Sequence, residues 1–154
     1  MLMKFTKYLL GILFYLFLSH SSAFGQFNQS NYEEALQKAK NEEKMMLLFV
    51  TADWCGPCRF YKNLFTEDEE VKNILEEKYV LISCDFDIKE GKKLKRKFPI
   101  YQSGIPKLSV ITSEEKLVAT FYRVIKKMPG DNLRDKFYSF LVTYSDPNFK
   151  KKKK

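Results

Sequence analysis

Histidine is all but missing from this chain. Its 154 residues include one, His20, against 27 Lys and Arg and 19 Asp and Glu. That histidine lies in an N-terminal segment with a positive start (Lys4, Lys7), an unbroken apolar run from Leu9 to Leu18, and small and polar residues from Ser19 to Gly25. Ala23 and Gly25 occupy the −3 and −1 positions of a cleavage site, so residues 1–25 read as a cleaved signal peptide and the mature chain starts at Gln26. The apolar run is about half the roughly 20 residues that a spanning helix needs. No cysteine follows it to carry a lipid. The mature chain therefore has no imidazole, which excludes Cys-His and Ser-His nucleophiles. The expected location is the periplasm or the extracellular space.

Cysteine is scarce as well. Cys55, Cys58 and Cys84 are too few for a disulfide framework and, without histidine, a poor zinc set, so neither metal nor cofactor is expected. The positive charge is thinner than it looks. Residues 1–25 hold two lysines and no acid, which takes the net charge from +8 to +6, and Lys150 to Lys154 supply five of the remainder. The basicity is a tail, not a nucleic-acid-binding face. Residues 147–154 read as a disordered, solubilising end, with contact to anionic lipid as the alternative. No internal repeat is visible, and 26–146 reads as one monomeric domain.

Several periodic segments fill that domain. Ser30 with Glu33 forms a capping box for an amphipathic helix over Asn31–Lys40, with Tyr32, Ala35, Leu36 and Ala39 on one face. After a polar connector, Met45–Thr51 is a continuous apolar run, as a central strand covered on both faces requires. After the Cys pair, helix is expected to continue over Arg59–Phe65. A second capping box, Thr66 with Glu69, opens another helix whose apolar face is Val71, Ile74, Leu75 and Tyr79. Val80–Asp85 reads as a buried strand, and Lys89–Lys97 as a short basic helix turned inward by Leu94 and helped by Phe98. A loop, Pro99–Gly104, leads to Ile105-Pro106. Leu108–Ile111 and Lys116–Tyr122 then form a hairpin around Ser113-Glu114-Glu115. Asp131 is the expected N-cap of a last helix lined by Leu133, Phe137, Phe140, Leu141 and Tyr144, ending at Asp146-Pro147. This order implies an α/β fold: a three-layer α/β/α sandwich around a central mixed sheet.

The chemistry concentrates in Trp54-Cys55-Gly56-Pro57-Cys58, at a junction from strand to helix. Two thiols at this spacing can close into a disulfide and reopen, and a helix start favours thiolate over thiol. A static clip is the bland alternative, though a loop this small restrains little chain entropy. Half of a metal site is another, but the remaining ligands are missing. Cys84, within Leu81-Ile82-Ser83-Cys84, reads as core packing, with a third redox thiol as the alternative.

The motif, with Thr51-Ala52-Asp53 before it and Gly104-Ile105-Pro106 beginning 46 residues after Cys58, resembles the thioredoxin-like family, whose element order agrees from about Tyr32 to Tyr144. The resemblance implies the thioredoxin fold and an exported thiol–disulfide oxidoreductase acting on protein cysteines. Cys55, at the exposed helix start, would attack, and the better shielded Cys58 would resolve the mixed disulfide. Pro57 suits a first helical turn. Trp54 would flank the dithiol, with plain core packing as the alternative. Pro106, if cis and not an ordinary trans turn proline, would set the Ile105 backbone beside Cys55 for an added substrate strand. Gly56-Pro57 resembles reducing members, so a reductase served by an upstream electron-donor reductase is expected. A reductase dedicated to one client, such as an apocytochrome c, and a non-catalytic binding or chaperone module are the competing readings.

Three departures from the family stand out. Phe49 occupies the position, six before the first cysteine, where thioredoxins usually carry a buried acid; Asp53, Lys62 or solvent would have to move the proton. Lys107 follows the proline where thioredoxin itself usually has Thr, and is expected to touch substrate and lower the Cys55 pKa. Glu115 and Arg123 stand near the glycines that commonly open the family's substrate groove.

Overall fold

A run of seven apolar or small residues with no charge can be a strand only in the middle of a sheet, and that is where Met45–Thr51 lies. The computed structural model describes residues 32–88, 94, 97–98, 104–121 and 132–149. Its elements are α1 (Tyr32–Asn41), β1 (Met45–Thr51), α2 (Gly56–Glu67), α3 (Glu69–Lys78), β2 (Tyr79–Asp85), β3 (Lys107–Ile111), β4 (Leu117–Phe121) and α4 (Leu133–Thr143). The strands form one mixed sheet ordered β2-β1-β3-β4. β1 runs parallel to β2, from Met45 opposite Tyr79 to Thr51 opposite Asp85, and antiparallel to β3, with Val50 opposite Lys107. β4 returns antiparallel to β3 with a register shift at Val110/Ile111.

All seven β1 residues are buried, and their alternation divides the core in two. Met45, Leu47 and Phe49 face α2, α3 and α4 in a cluster with Cys55, Cys58, Tyr61, Phe65, Val71, Leu75, Phe137 and Leu141. Met46, Leu48 and Val50 face the opposite way, against Ala35, Leu36 and Ala39 of α1 and against Leu94 and Phe98. Helices therefore cover both faces of the sheet, giving the three layers expected.

Local boundaries moved for identifiable reasons. The cap of α3 is Asp68, whose carboxylate accepts the Val71 N–H at 3.1 Å. Thr66 stays inside α2, where its hydroxyl donates to the Lys62 and Asn63 carbonyls. α2 itself begins at Gly56 with Cys55 as its cap, as the motif implied, and runs on to Glu67, two residues past the expected end. Tyr79 belongs to β2 and not to the helix before it; its hydroxyl donates to the Leu141 carbonyl at 2.7 Å. The cap of α4 is Asn132, which accepts from the Asp135 N–H. Asn148 and Phe149, read as the start of a tail, instead turn back around Asp146, and the Phe149 ring lies 5.0 Å from that of Tyr144. The signal segment, Ser30, most of the basic helix, residues 99–103, Arg123, Asp131 and the lysine run lie outside the described residues.

One charged clasp joins the starts of α3 and α4. Arg134 grips Asp68 with Nε and Nη2, both at 2.7 Å, and also reaches Glu70 and Asp135. The bond from Arg134 holds the Asp68 carboxyl down at about 2, from an ordinary 3.8. A carboxyl with a depressed folded-state pKa stabilises the fold above its unfolded pKa and loses that contribution as pH falls toward the folded value. Urea unfolding should therefore show about 1 kcal/mol of stability lost between pH 4 and pH 2 through this clasp, a figure reduced for partial exposure. Arg134→Met should be less stable at pH 5 and lack that portion of the acid decline. An unchanged slope in Arg134→Met would place the acid sensitivity elsewhere.

Candidate active site

The site begins where β1 runs out. After Thr51 the chain turns, with the Cys55 N–H donating to the Ala52 carbonyl at 3.1 Å, and enters α2 with Cys55 as its N-cap. A cap usually offers a side-chain oxygen to the N–H groups of the first turn. Here the sulfur does so: Cys55 Sγ accepts the Cys58 N–H at 3.2 Å. Gly56 and Pro57 occupy the first two helical positions, where the missing proline N–H costs nothing. A Cβ on Gly56 would come no closer than 3.9 Å to the Arg59 guanidinium, so packing does not demand glycine there.

Cys55 and Cys58 are joined in a disulfide with Cα atoms 5.3 Å apart. Cys58 is fully buried. Cys55 is 4% exposed, which corrects the expectation of an open thiol at the helix start. Its sulfur is folded over the first turn, and Ile105 packs against the same cluster, so only a sliver of Cys55 reaches solvent. Of the pair, Cys55 alone keeps any exposure.

Around it the residues separate into two groups. Trp54 is 65% exposed, so it is not core; its Nε1 donates to Asp87 Oδ2 at 2.7 Å, and its ring sits edge-on to Phe86. The Ile105-Pro106 bond is cis, and Gly104 before it has φ +92°, a conformation that glycine adopts freely. Trp54, the Cys55 edge and Ile105-Pro106 thus gather at one end of the sheet. Lys107 does not join them. It is 2% exposed and opposite Val50, on the sheet face away from the disulfide, and burial pulls its own pKa down. Glu115 is also misplaced by sequence reasoning. The β3–β4 turn lies at the other end of β3 from Pro106, and Glu115 there pairs with Lys97, so it lines no groove beside the dithiol. Cys84, outside the disulfide, lies in the opposite cluster as core packing.

The position of the usual buried acid is filled by rings. Phe49 has no exposed surface and meets Phe65 at 5.3 Å and Tyr61 at 6.3 Å. Asp53 is fully out in solvent, 3.9 Å from Lys62. Three polar residues here escaped the sequence reading as individuals. Asp87 was detectable only through the need of the Trp54 indole for a partner. Thr51, a hydroxyl ending an apolar strand, and Asp85 beside it in β2 carried a weak signal of that kind.

Comparison with known proteins agrees with this geometry. A family model described as thioredoxin-like matches residues 27–113, more than half of the chain. A thioredoxin H-type from Oryza sativa subsp. indica is 40% identical over 40 residues, 26% of this chain and 33% of that one, so the match spans about a third of that relative's length. A thioredoxin H-type from Chlamydomonas reinhardtii is 27% identical over 99 residues, covering 60% of this chain and 85% of that one. Among solved structures, a thioredoxin from Thermus thermophilus superposes with a TM-score of 0.58 at 23% identity, covering 72% of this chain and 81% of its own, a likeness of fold. With the disulfide at the start of α2 and the cis Ile105-Pro106 bond beside it, the chain belongs to the thioredoxin-like family.

Proposed function

We propose that this chain is an exported thiol–disulfide oxidoreductase that reduces disulfides in client proteins. The observation that carries the reading is the Cys55–Cys58 pair at the start of α2: the Cys55 sulfur caps the helix in a residue that keeps a slight exposure, and Cys58 is sealed in the core. A helix start favours negative charge, so in the reduced protein Cys55 is the sulfur held as thiolate. It attacks a client disulfide, and one client sulfur leaves as thiolate. Cys58 then attacks Cys55 Sγ, freeing the second client sulfur and leaving the intramolecular disulfide that the structure holds. The exposed Trp54 face and the Ile105 backbone are the docking surface for an extended client segment.

The reducing direction is supported by Gly56-Pro57, which resembles reducing members. Potentials on this fold span about 150 mV, worth about 7 kcal/mol, so a measured potential decides it. An upstream reductase must supply the two electrons that each turnover consumes. The N-terminal segment, residues 1–25, supports export.

Cys58→Ala tests the reading. With no resolving thiol, mixed disulfides through Cys55 should accumulate in the compartment where the chain resides and identify the clients. An empty trap, from cells whose proteins contain exchangeable disulfides, would overturn it.

A further inference from the structure

The resolving step needs a thiolate at Cys58, yet Cys58 is fully buried in a cluster with Phe49, Tyr61 and Phe65. Burial among rings raises a thiol pKa. The helix start does little for it, because the Cys58 N–H is directed at the Cys55 sulfur. Some other group has to take the Cys58 proton.

Alternation along β1 supplies the candidate. Met45, Leu47 and Phe49 point to the disulfide side of the sheet, and the next residue in that series is Thr51. Thr51 is 5% exposed, and its Oγ1 has no hydrogen-bond partner among the described residues. A buried hydroxyl left unpaired is destabilising and calls for an explanation. Register places its neighbours. Asp85 of β2 is directly opposite Thr51, on a strand about 4.8 Å away. On the other side Lys107 is opposite Val50, so Pro106 follows in the row of Thr51. Asp85, Thr51 and Pro106 thus form a row across the end of the sheet from which α2 departs. Asp85 is only partly buried, and its Oδ1 accepts the Asp87 N–H at 2.8 Å.

We infer that Thr51 and Asp85 form the proton path of the resolving thiol, in place of an acid at position 49. This rests on the oxidoreductase reading above. In the mixed disulfide the Thr51 hydroxyl, which bonds neither group in the oxidised structure, turns to bridge them: the Cys58 S–H gives its proton to Thr51 Oγ1 as that hydroxyl passes its own to the Asp85 carboxylate. The Cys58 thiolate attacks Cys55 Sγ, the Cys55–Cys58 bond forms, and the Cys55–client bond breaks with its electron pair leaving on the client sulfur. Asp85 returns the proton to water. No outside oxidant or reductant enters the step. Among the described residues, the other charged and titratable groups at this end are otherwise placed. Asp53 and Lys62 pair in solvent, Asp87 holds Trp54, and Arg59 is exposed on α2. Lys107 lies on the far face of the sheet, and Tyr61 is packed in the ring cluster.

The test uses the whole chain, reduced, with Cys84→Ala throughout, mixed with the chromogenic disulfide dithionitrobenzoate. Attack by Cys55 releases one coloured thiol, and resolution by Cys58 releases the second. Thr51→Val should slow the second release about tenfold at pH 7 and raise its pH midpoint by about one unit, while changing the first by less than about twofold. Asp85→Asn should slow the second release likewise, and Thr51→Ser should restore it. A second release in Thr51→Val with the unaltered rate and pH midpoint would overturn the proposal, as would equal loss of both phases. No release of either thiol by the unsubstituted chain would instead overturn the oxidoreductase reading itself.

Discussion

Replacing Cys55 with alanine should reduce disulfide exchange by about a thousandfold or more, to the uncatalysed background. The expectation follows from what is left. Cys58 has no exposed surface and cannot meet a client disulfide, and Cys84 is buried in the opposite cluster. Residues 26–154 contain no histidine to activate another nucleophile. The fold should survive, because a disulfide closing so short a loop adds little through chain entropy. Loss of turnover in a protein with an intact unfolding transition is therefore loss of chemistry. Turnover of a protein disulfide with a chemical reductant supplied in excess is the measurement. A Cys55→Ala protein that still turned over would overturn Cys55 as the nucleophile, and an unsubstituted protein that bound its clients without reducing them would favour the binding-module reading.

Phe137→Ala should be the costliest single truncation of the core, at about 3–5 kcal/mol. Phe137 is fully buried on α4 and sits at the centre of the aromatic cluster, with ring centroids 5.3 Å from Tyr61, 5.9 Å from Phe65, 5.4 Å from Phe121 and 6.4 Å from Phe140. Truncation removes contacts to α2, to β4 and within α4, and the stiff rings around it cannot collapse into the space. Set against a total stability of about 5–15 kcal/mol, such a loss lowers the melting point by about 10 °C. Val142→Ala, on the exposed side of the same helix, should change stability by less than about 0.5 kcal/mol. Equal costs for the two variants would mean that the aromatic cluster does not anchor α4.

Much of this was legible in the residues because it is local. Met45–Thr51 reads as a central strand since its apolar run is of strand length, follows a polar connector and suits a strand covered on both faces. The dithiol at a helix start reads as redox chemistry since capping and thiolate stabilisation act within one turn. What failed was decided at a distance. Thr66 and Asp68 both satisfy local rules for capping α3, and Asp68 is favoured by an arginine that arrives 66 residues later. Lys107 has a side chain that sequence reasoning assigns to the surface, yet the register of β3 against β1 buries it opposite Val50. The orphaned hydroxyl of Thr51 is likewise invisible until strand alternation and the Asp85 pairing are known.

The central position of β1 has a consequence for the order of assembly. Cys55 and Cys58 are neighbours along the chain, so the pair can oxidise as soon as the first turn of α2 exists. The strand that completes their surroundings, β3, comes from residues 107–111 and joins β1 only after a long loop has closed. High contact order favours late formation of that pairing, and a chain that has not yet made it holds the dithiol without its cover. The near-complete burial of Cys55 is therefore acquired, not intrinsic to the motif. It makes the mature centre selective, because only a partner that settles on the finished sheet end reaches the sulfur that an unfinished chain would offer to any thiol.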